Sequence, residues 1–185
     1  MKWRRVTVHA VVAEFLRAER HKLRWLPPTA FALIDQANTG DPAENHARLR
    51  YLASIRRQLL GEIPPDTRWY KVHTLTDANL IELHVIGRCG FDDPFGRDQN
   101  ELKKVAVRRP EPLSSQPAHW GSPILWGHSK TGPFTIIEGN HRLIGYASQT
   151  QAPGLSVAVF VGLSRTPCFW HVFDAPNKLV NHLWA

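Results

Sequence analysis

The chain has 185 residues, with 23 Lys and Arg against 16 Asp and Glu, which gives a formal net charge of +7. Its 43% hydrophobic and 21% charged residues are near the globular average, which excludes collagen-like, coiled-coil and wholly disordered classes. Two cysteines cannot form a disulfide framework, and no apolar run approaches the roughly 20 residues of a membrane-spanning helix. We therefore expect a soluble, cytoplasmic protein with an acidic partner such as a phosphate, a nucleotide or a nucleic acid.

Residues 1–66 are predicted to form an N-terminal helical extension. Hydrophobic residues recur on one stripe between Ala10 and Arg24, and the apolar segment Ala30 to Ile34 suits a second helix. A third helix is expected after Asp41, with Pro42 at its first position. The predicted buried stripe of this third helix is Leu49, Leu52, Ile55 and Leu59.

Basic residues are concentrated in this extension, which carries eleven Lys and Arg against seven Asp and Glu. Such an excess suits a larger polyanion or a protein partner. We interpret the basic side of the third helix as a solvated face rather than a phosphate-contacting surface. That side consists of Arg48, Arg50, Arg56 and Arg57.

A domain boundary is predicted after Pro64-Pro65, because strands and short helices replace the helical pattern from residue 67 to residue 185. Trp69 to Leu75 is typical of a strand, whereas Leu80 to Ile86 is too short and uniformly apolar to assign. Asp98 to Val107 is predicted to be helical, and a loop follows from Pro110 to Pro117.

The most informative segment starts at Pro123. Ile124 to Trp126 and Phe134 to Ile137 are predicted strands, joined into a hairpin by a turn at residues 129–133. The motif Glu138-Gly139-Asn140-His141-Arg142 comes next, then a helical run over residues 143–149 and an apolar strand over residues 155–161. The order is strand, tight turn, helix, strand.

This turn has the chemistry of a phosphate site. A glycine between a strand and a helix permits a sharp turn, and the first N–H groups of the helix lack intrahelical partners. His141 and Arg142 would add donors to a phosphate, and Glu138 would act as a base or hold a metal ion. In the alternative, Gly139 only turns the chain, Asn140 caps the helix, and Arg142 pairs with Glu138.

The segment from Pro123 to Val161 resembles the core of the ParB/sulfiredoxin superfamily, whose members hold nucleotide phosphates at a glycine-containing turn. Sulfiredoxins carry Gly-Gly-Cys-His-Arg there, which Gly139, His141 and Arg142 match. Asn140 replaces the nucleophilic cysteine, so reduction of sulfinic acids is not expected. The fold that the resemblance implies is α/β (α+β), a ParB/sulfiredoxin-like mixed sheet with helices.

The resemblance also implies a phosphate-ester hydrolase that uses ATP and Mg²⁺. Small basic members of the superfamily include plasmid fertility-inhibition proteins of the Osa type, whose activities are of the ATPase and DNase kind. The resemblance therefore implies these activities for this chain. In this prediction Glu138, His141 and Arg142 are catalytic, and Glu138 helps to hold the nucleotide-bound metal. Nucleotide binding is assigned to Gly139, Asn140, His141, Arg142 and, from the hairpin turn, Lys130.

Two other functions stay open. The free-serine kinases of the superfamily also have an acidic residue and a glycine before an arginine, so phosphate transfer to a small hydroxyl compound fits the same motif. A nucleotide-responsive DNA-binding or inhibitor protein would instead act through the basic N-terminal helices. Base stacking on some of the seven tryptophans would suit single-stranded nucleic acid, although core packing is the ordinary role of a tryptophan.

Overall fold

A computed structural model describes residues 2–73, 83–85, 121–140, 143 and 158–166 of the chain. Within these ranges the helices precede residue 63, except for the start of one at Asn140. They are α1 (Val8–Ala18), a 3₁₀ helix (Arg20–Leu23), α2 (Pro28–Asp35) and α3 (Pro42–Glu62).

Local sequence signals start the two longest helices. The side chain of Thr7 accepts a hydrogen bond from the Ala10 N–H at the start of α1. Asp41 accepts from the N–H groups of Ala43 and Glu44 at the start of α3, as its sequence predicts. These caps satisfy N–H groups that have no partner within the helix.

Six strands form one mixed sheet in the order β1-β2-β6-β4-β5-β3. Pairing is antiparallel for β1 with β2, β2 with β6 and β4 with β5, and parallel for β4 with β6 and β3 with β5. The strands are β1 (Trp3–Val6), β2 (Arg68–Val72), β3 (Leu83–Val85), β4 (Ile124–Gly127), β5 (Phe134–Glu138) and β6 (Val159–Leu163).

Both faces of this sheet are buried along β4, β5 and β6. One face packs against the helices and shares a single core with them, to which the sheet contributes Trp69, Ile124, Trp126, Ile137 and Phe160. The opposite face is also buried at Val72, Leu125, Phe134, Ile136 and Val161, each at most 1% exposed, whereas Arg5 of β1 and Arg68 of β2 on that face are exposed. A sheet covered on both faces, with helices on one of them, is an α/β layer architecture.

The predicted α/β class with a mixed sheet is therefore confirmed, and so is the hairpin of β4 and β5. The prediction that residues 1–66 are helical is wrong at Trp3–Val6, which pair with Val72–Trp69 as an edge strand. The predicted domain boundary at residue 66 stays a prediction. In the structure β1 is a strand of the sheet, and α1, α2 and α3 pack into one hydrophobic core with the sheet. The helix predicted at residues 98–107 lies outside the described residues.

The interpretation of the α3 arginines as a solvated face is wrong for Arg48, which is fully buried. It donates hydrogen bonds to the backbone carbonyls of Leu33 and Asn38 and to the side chains of Glu44 and Asn45. Two of these acceptors, the carbonyls of Leu33 and Asn38, lie outside α3, so the helical pattern of α3 could not reveal that Arg48 is buried. By contrast Leu49, predicted to be buried, is 43% exposed.

The other predicted arginines of α3 differ from one another. Arg56 is half-buried and forms an ion pair with the buried Glu19, whereas Arg50 and Arg57 are exposed, as predicted. Among the described residues, no helix is long and apolar enough to cross a membrane.

Candidate functional site

The turn after β5 has the strand–glycine–helix geometry that the sequence predicts. Strand β5 ends at Glu138, Gly139 has a φ of +94°, and the helix begins at Asn140. The Leu143 N–H donates to the Gly139 carbonyl at 2.9 Å, which is the first hydrogen bond of that helix. A positive φ of this size is easily adopted only by glycine, so the sharp turn depends on Gly139.

A β-bulge interrupts β5 just before this turn. Leu125 pairs with Ile136 and Ile124 pairs with Glu138, so Ile137 is an extra residue on β5. Bulges re-aim the side chains that follow them, and they are common beside active sites. The direction of Glu138 is therefore set by an irregularity that no sequence pattern indicates.

Glu138 lies at the carboxyl edge of a parallel strand pair. Strands β3 and β5 are parallel, with Val85 paired to Ile136, so both strands end at the same edge of the sheet. Ligands of α/β sheets commonly bind outside the carboxyl ends of parallel strands. The Glu138 carboxylate and the helix N-terminus that follows it therefore lie at the edge of the sheet where ligands commonly bind.

Burial differs among the three described residues of the motif. Glu138 and Asn140 are half-buried, and Gly139 is buried. The Asn140 Oδ1 atom is out of contact with solvent and has no hydrogen-bond partner among the residues described. An acceptor without a donor is unfavourable inside a protein, so a hydroxyl or N–H group brought by a ligand would stabilise it.

The remaining predicted residues of the motif, His141 and Arg142, lie outside the described residues. Their roles as phosphate donors therefore stay predictions.

Lys130 is not brought together with the rest of the predicted site. It lies in the turn that precedes β5, whereas Glu138 ends that strand, roughly 13 Å along a five-residue strand. Its Nζ lies over the rings of Trp3 and Tyr70, at 5.5 and 5.7 Å from their centroids. Trp3, Tyr70 and Lys130 are remote in sequence, so no local pattern connects them.

Glu138 is the residue that the sequence assigns to a nucleotide-bound metal ion. Among the described residues there is no group of three or more His, Cys, Asp or Glu side chains that could hold a metal. Glu138 offers a single carboxylate at the turn. Mg²⁺ in nucleotide sites is commonly held by one or two carboxylates together with substrate phosphates, so one carboxylate is compatible with that arrangement.

Comparison of the chain with protein-family models, with curated proteins and with solved structures finds no match. The ParB/sulfiredoxin resemblance therefore rests on the motif itself and on the order of elements around it.

Proposed function

We propose that the turn from Glu138 to Arg142 binds the phosphates of a nucleoside triphosphate and that the protein hydrolyses a phosphate ester, with ATP, DNA or both as substrate. We also propose that the sheet and the turn belong to a ParB/sulfiredoxin-like core similar to that of the Osa-type proteins. Its main support is the positive φ of Gly139, which lets β5 turn directly into a helix beside a carboxylate.

The backbone at this turn supports the proposal of phosphate binding. The first N–H groups of a helix lack partners within it and carry the positive end of the helix dipole. Gly139 has no Cβ, so a phosphate oxygen can approach its backbone closely. Arg142 adds a permanent charge with bidentate geometry, and His141 adds a further donor.

Glu138 is the proposed general base. Its carboxylate accepts a proton from water, the water oxygen forms a bond to phosphorus, and the bond from phosphorus to the leaving oxygen breaks. The helix N–H groups, His141 and Arg142 stabilise the negative charge that develops on the phosphoryl oxygens. Mg²⁺ brought by the nucleotide would neutralise further phosphate charge.

The basic helices are less suited to a polyanion than the sequence suggests. Four of their arginines are engaged in ion pairs, namely Arg17 with Glu14, Arg20 with Asp35, Arg48 with Glu44 and Arg56 with Glu19. A polyanion would have to compete with these carboxylates. This observation favours the enzymatic proposal over a DNA-binding protein that acts through its N-terminal helices.

The test is phosphate release from Mg·ATP and cleavage of a DNA substrate by the wild type, Glu138→Gln and Arg142→Ala. Loss of a general base typically lowers the rate by about 10²- to 10⁴-fold, and loss of an oxyanion donor by about 10²- to 10³-fold. Glu62→Gln, the same change on α3, should leave both rates unchanged.

Two results would count against the proposal. Full hydrolysis of both substrates by Glu138→Gln and Arg142→Ala would exclude the site. ATP consumption that requires an added hydroxyl amino acid and yields its phosphate ester would identify a kinase instead.

A further inference from the structure

The positive charges of the described residues fall into two groups. The arginines of α1, the 3₁₀ helix and α3 include the four that are paired with carboxylates. The basic residues of the sheet have no ion pair within the described part of the chain. Among them Arg5, Arg68 and Lys130 are exposed.

The segments that supply these sheet residues lack acidic side chains. Residues 1–13, 67–76 and 112–137, which supply β1, β2 and β4 with its turn, contain no Asp or Glu at all. They contain six Lys and Arg: Lys2, Arg4, Arg5, Arg68, Lys71 and Lys130. Folding thus brings together three segments that are remote in sequence and share the same sign of charge.

One side of the β1–β2 pair combines these charges with aromatic rings. Arg5 lies directly opposite Tyr70, so the two side chains share a face, and Trp3 and Arg68 lie on that face by alternation. The Trp3 and Tyr70 rings meet edge to face with their centroids 5.6 Å apart. The Lys130 Nζ lies over both rings.

We call Trp3, Arg5, Arg68, Tyr70 and Lys130 the basic–aromatic face. Gathering three exposed cations that have no ion pair among the described residues is electrostatically unfavourable for the free protein, and an anionic partner would relieve that repulsion. Trp3 and Tyr70 are half-buried rather than fully packed, so part of each ring remains accessible. The partner that matches is therefore an anion with flat apolar groups.

We propose that the basic–aromatic face binds single-stranded nucleic acid. Its phosphates would contact Arg5, Arg68 and Lys130, and its bases would stack on Trp3 and Tyr70. A duplex hides the faces of its bases, so it could use the cations but not the rings. An acidic peptide would likewise satisfy the charges without using the rings.

This face is separate from the turn at Glu138. Strands β6 and β4 lie between β2 and β5 in the sheet, and the Lys130 turn is at the opposite end of β5. Binding there does not require that the turn hydrolyse anything. Nucleic-acid binding by this face therefore goes beyond the proposed function, and its test does not depend on hydrolysis at the turn.

The first test measures fluorescence anisotropy of a dye-labelled single-stranded oligothymidylate with the full-length protein in EDTA, which suppresses metal-dependent cleavage. The triple variant Arg5→Gln, Arg68→Gln, Lys130→Gln should bind at least about tenfold more weakly and show a shallower salt dependence. The control variant Arg24→Gln, Arg50→Gln, Arg57→Gln removes three exposed charges that lie elsewhere, and it should bind as the wild type does. Equal weakening in both variants would overturn the proposal.

The second test concerns stacking. Trp3→Leu should weaken single-strand binding by about tenfold, in line with the loss of one stacked base, whereas Trp3→Phe should retain most of the affinity. Trp25→Leu is the matched control, because Trp25 is 62% exposed and lies outside the face. Thermal melts monitored by circular dichroism verify that each variant is folded.

Competition with the same sequence as a duplex completes the design. The proposal predicts that the duplex competes less well than the single strand. Equal competition by the duplex, together with unchanged binding by Trp3→Leu, would show simple charge attraction and would overturn it.

Discussion

Arg48 anchors three segments of the helical layer with one side chain. Its guanidinium donates to the Leu33 carbonyl at 3.1 Å and to the Asn38 carbonyl at 2.7 Å, and it pairs with Glu44 at 2.8 Å. These contacts fasten α3 to the end of α2 and to the connection between them. A charge with this many partners is stabilising only while all of them are present.

Arg48→Met should therefore destabilise the protein strongly. The methionine keeps much of the packing volume but leaves two carbonyls and the Asn45 amide oxygen without a donor, so we expect a loss of about 3–5 kcal/mol. Urea denaturation measures this change. Arg50→Met, an exposed neighbour on α3, should change stability by no more than about 0.5 kcal/mol. Similar values for the two variants would contradict a structural role for Arg48.

Two glycines allow a test of backbone conformation by the same substitution. Gly139→Ala forces a side chain into a φ of +94° and should cost about 1–3 kcal/mol. Gly61→Ala lies in α3 with no atom within 4 Å of the added Cβ and should stabilise by up to about 1 kcal/mol. Thermal denaturation measures whether each substitution lowers or raises the stability of the protein. A neutral Gly139→Ala would mean that the turn does not need this conformation.

At the scale of elements, the loops that flank β2 and β6 are joined by a side-chain contact. The Ser164 hydroxyl, just after β6, donates to Asp66 Oδ1 at 2.5 Å, and the Arg165 N–H donates to Asp66 Oδ2 at 3.2 Å. Asp66 lies shortly before β2 in the chain. The contact therefore closes the end of the β2–β6 ladder.

This contact makes a pH-dependent contribution to stability. The hydrogen bond from Ser164, followed by those from Thr166 and Arg165, lowers the pKa of Asp66 below its ordinary value of about 3.9. Because the folded-state pKa is the lower one, the stabilisation is present above about pH 4 and disappears as the pH falls through the folded value. Asp66→Asn should lose stability at neutral pH, and its difference from the wild type should shrink in acid. A difference that is constant between pH 3 and pH 7 would contradict this assignment.

The elements that the sequence predicts well are those with local signals. The cap at Asp41 and the hairpin turn before β5 are specified by neighbouring residues, and the structure has both. Strand β1 is different: Trp3–Val6 contain two adjacent arginines and no alternation, and they become a strand only by pairing with β2. Because α1, α2 and α3 lie between β1 and β2 in the chain, no local window of sequence could show this pairing.

The candidate site was predictable to the same extent. The Glu138-Gly139 turn follows from residue type and order, which is why its conformation could be expected before the structure was known. The bulge before Glu138 and the displacement of Lys130 toward Trp3 depend on how distant strands pair. The predicted hairpin already puts the Lys130 turn and Glu138 at opposite ends of β5, and only the contact of Lys130 with Trp3 and Tyr70 depends on distant pairing.

At the scale of the whole molecule, the helices and one face of the sheet share a single core, so they should unfold together. Leu16 of α1 is fully buried in that core, and Leu16→Ala should cost about 2–5 kcal/mol. Far-UV circular dichroism reports mainly the helices, and fluorescence reports all seven tryptophans, of which Trp69 and Trp126 are buried in the sheet. Both urea curves should shift by the same amount. Leu49→Ala, at an exposed position on α3, should move neither curve appreciably. A shift confined to the dichroism curve would instead show that the helical extension folds as a separate domain.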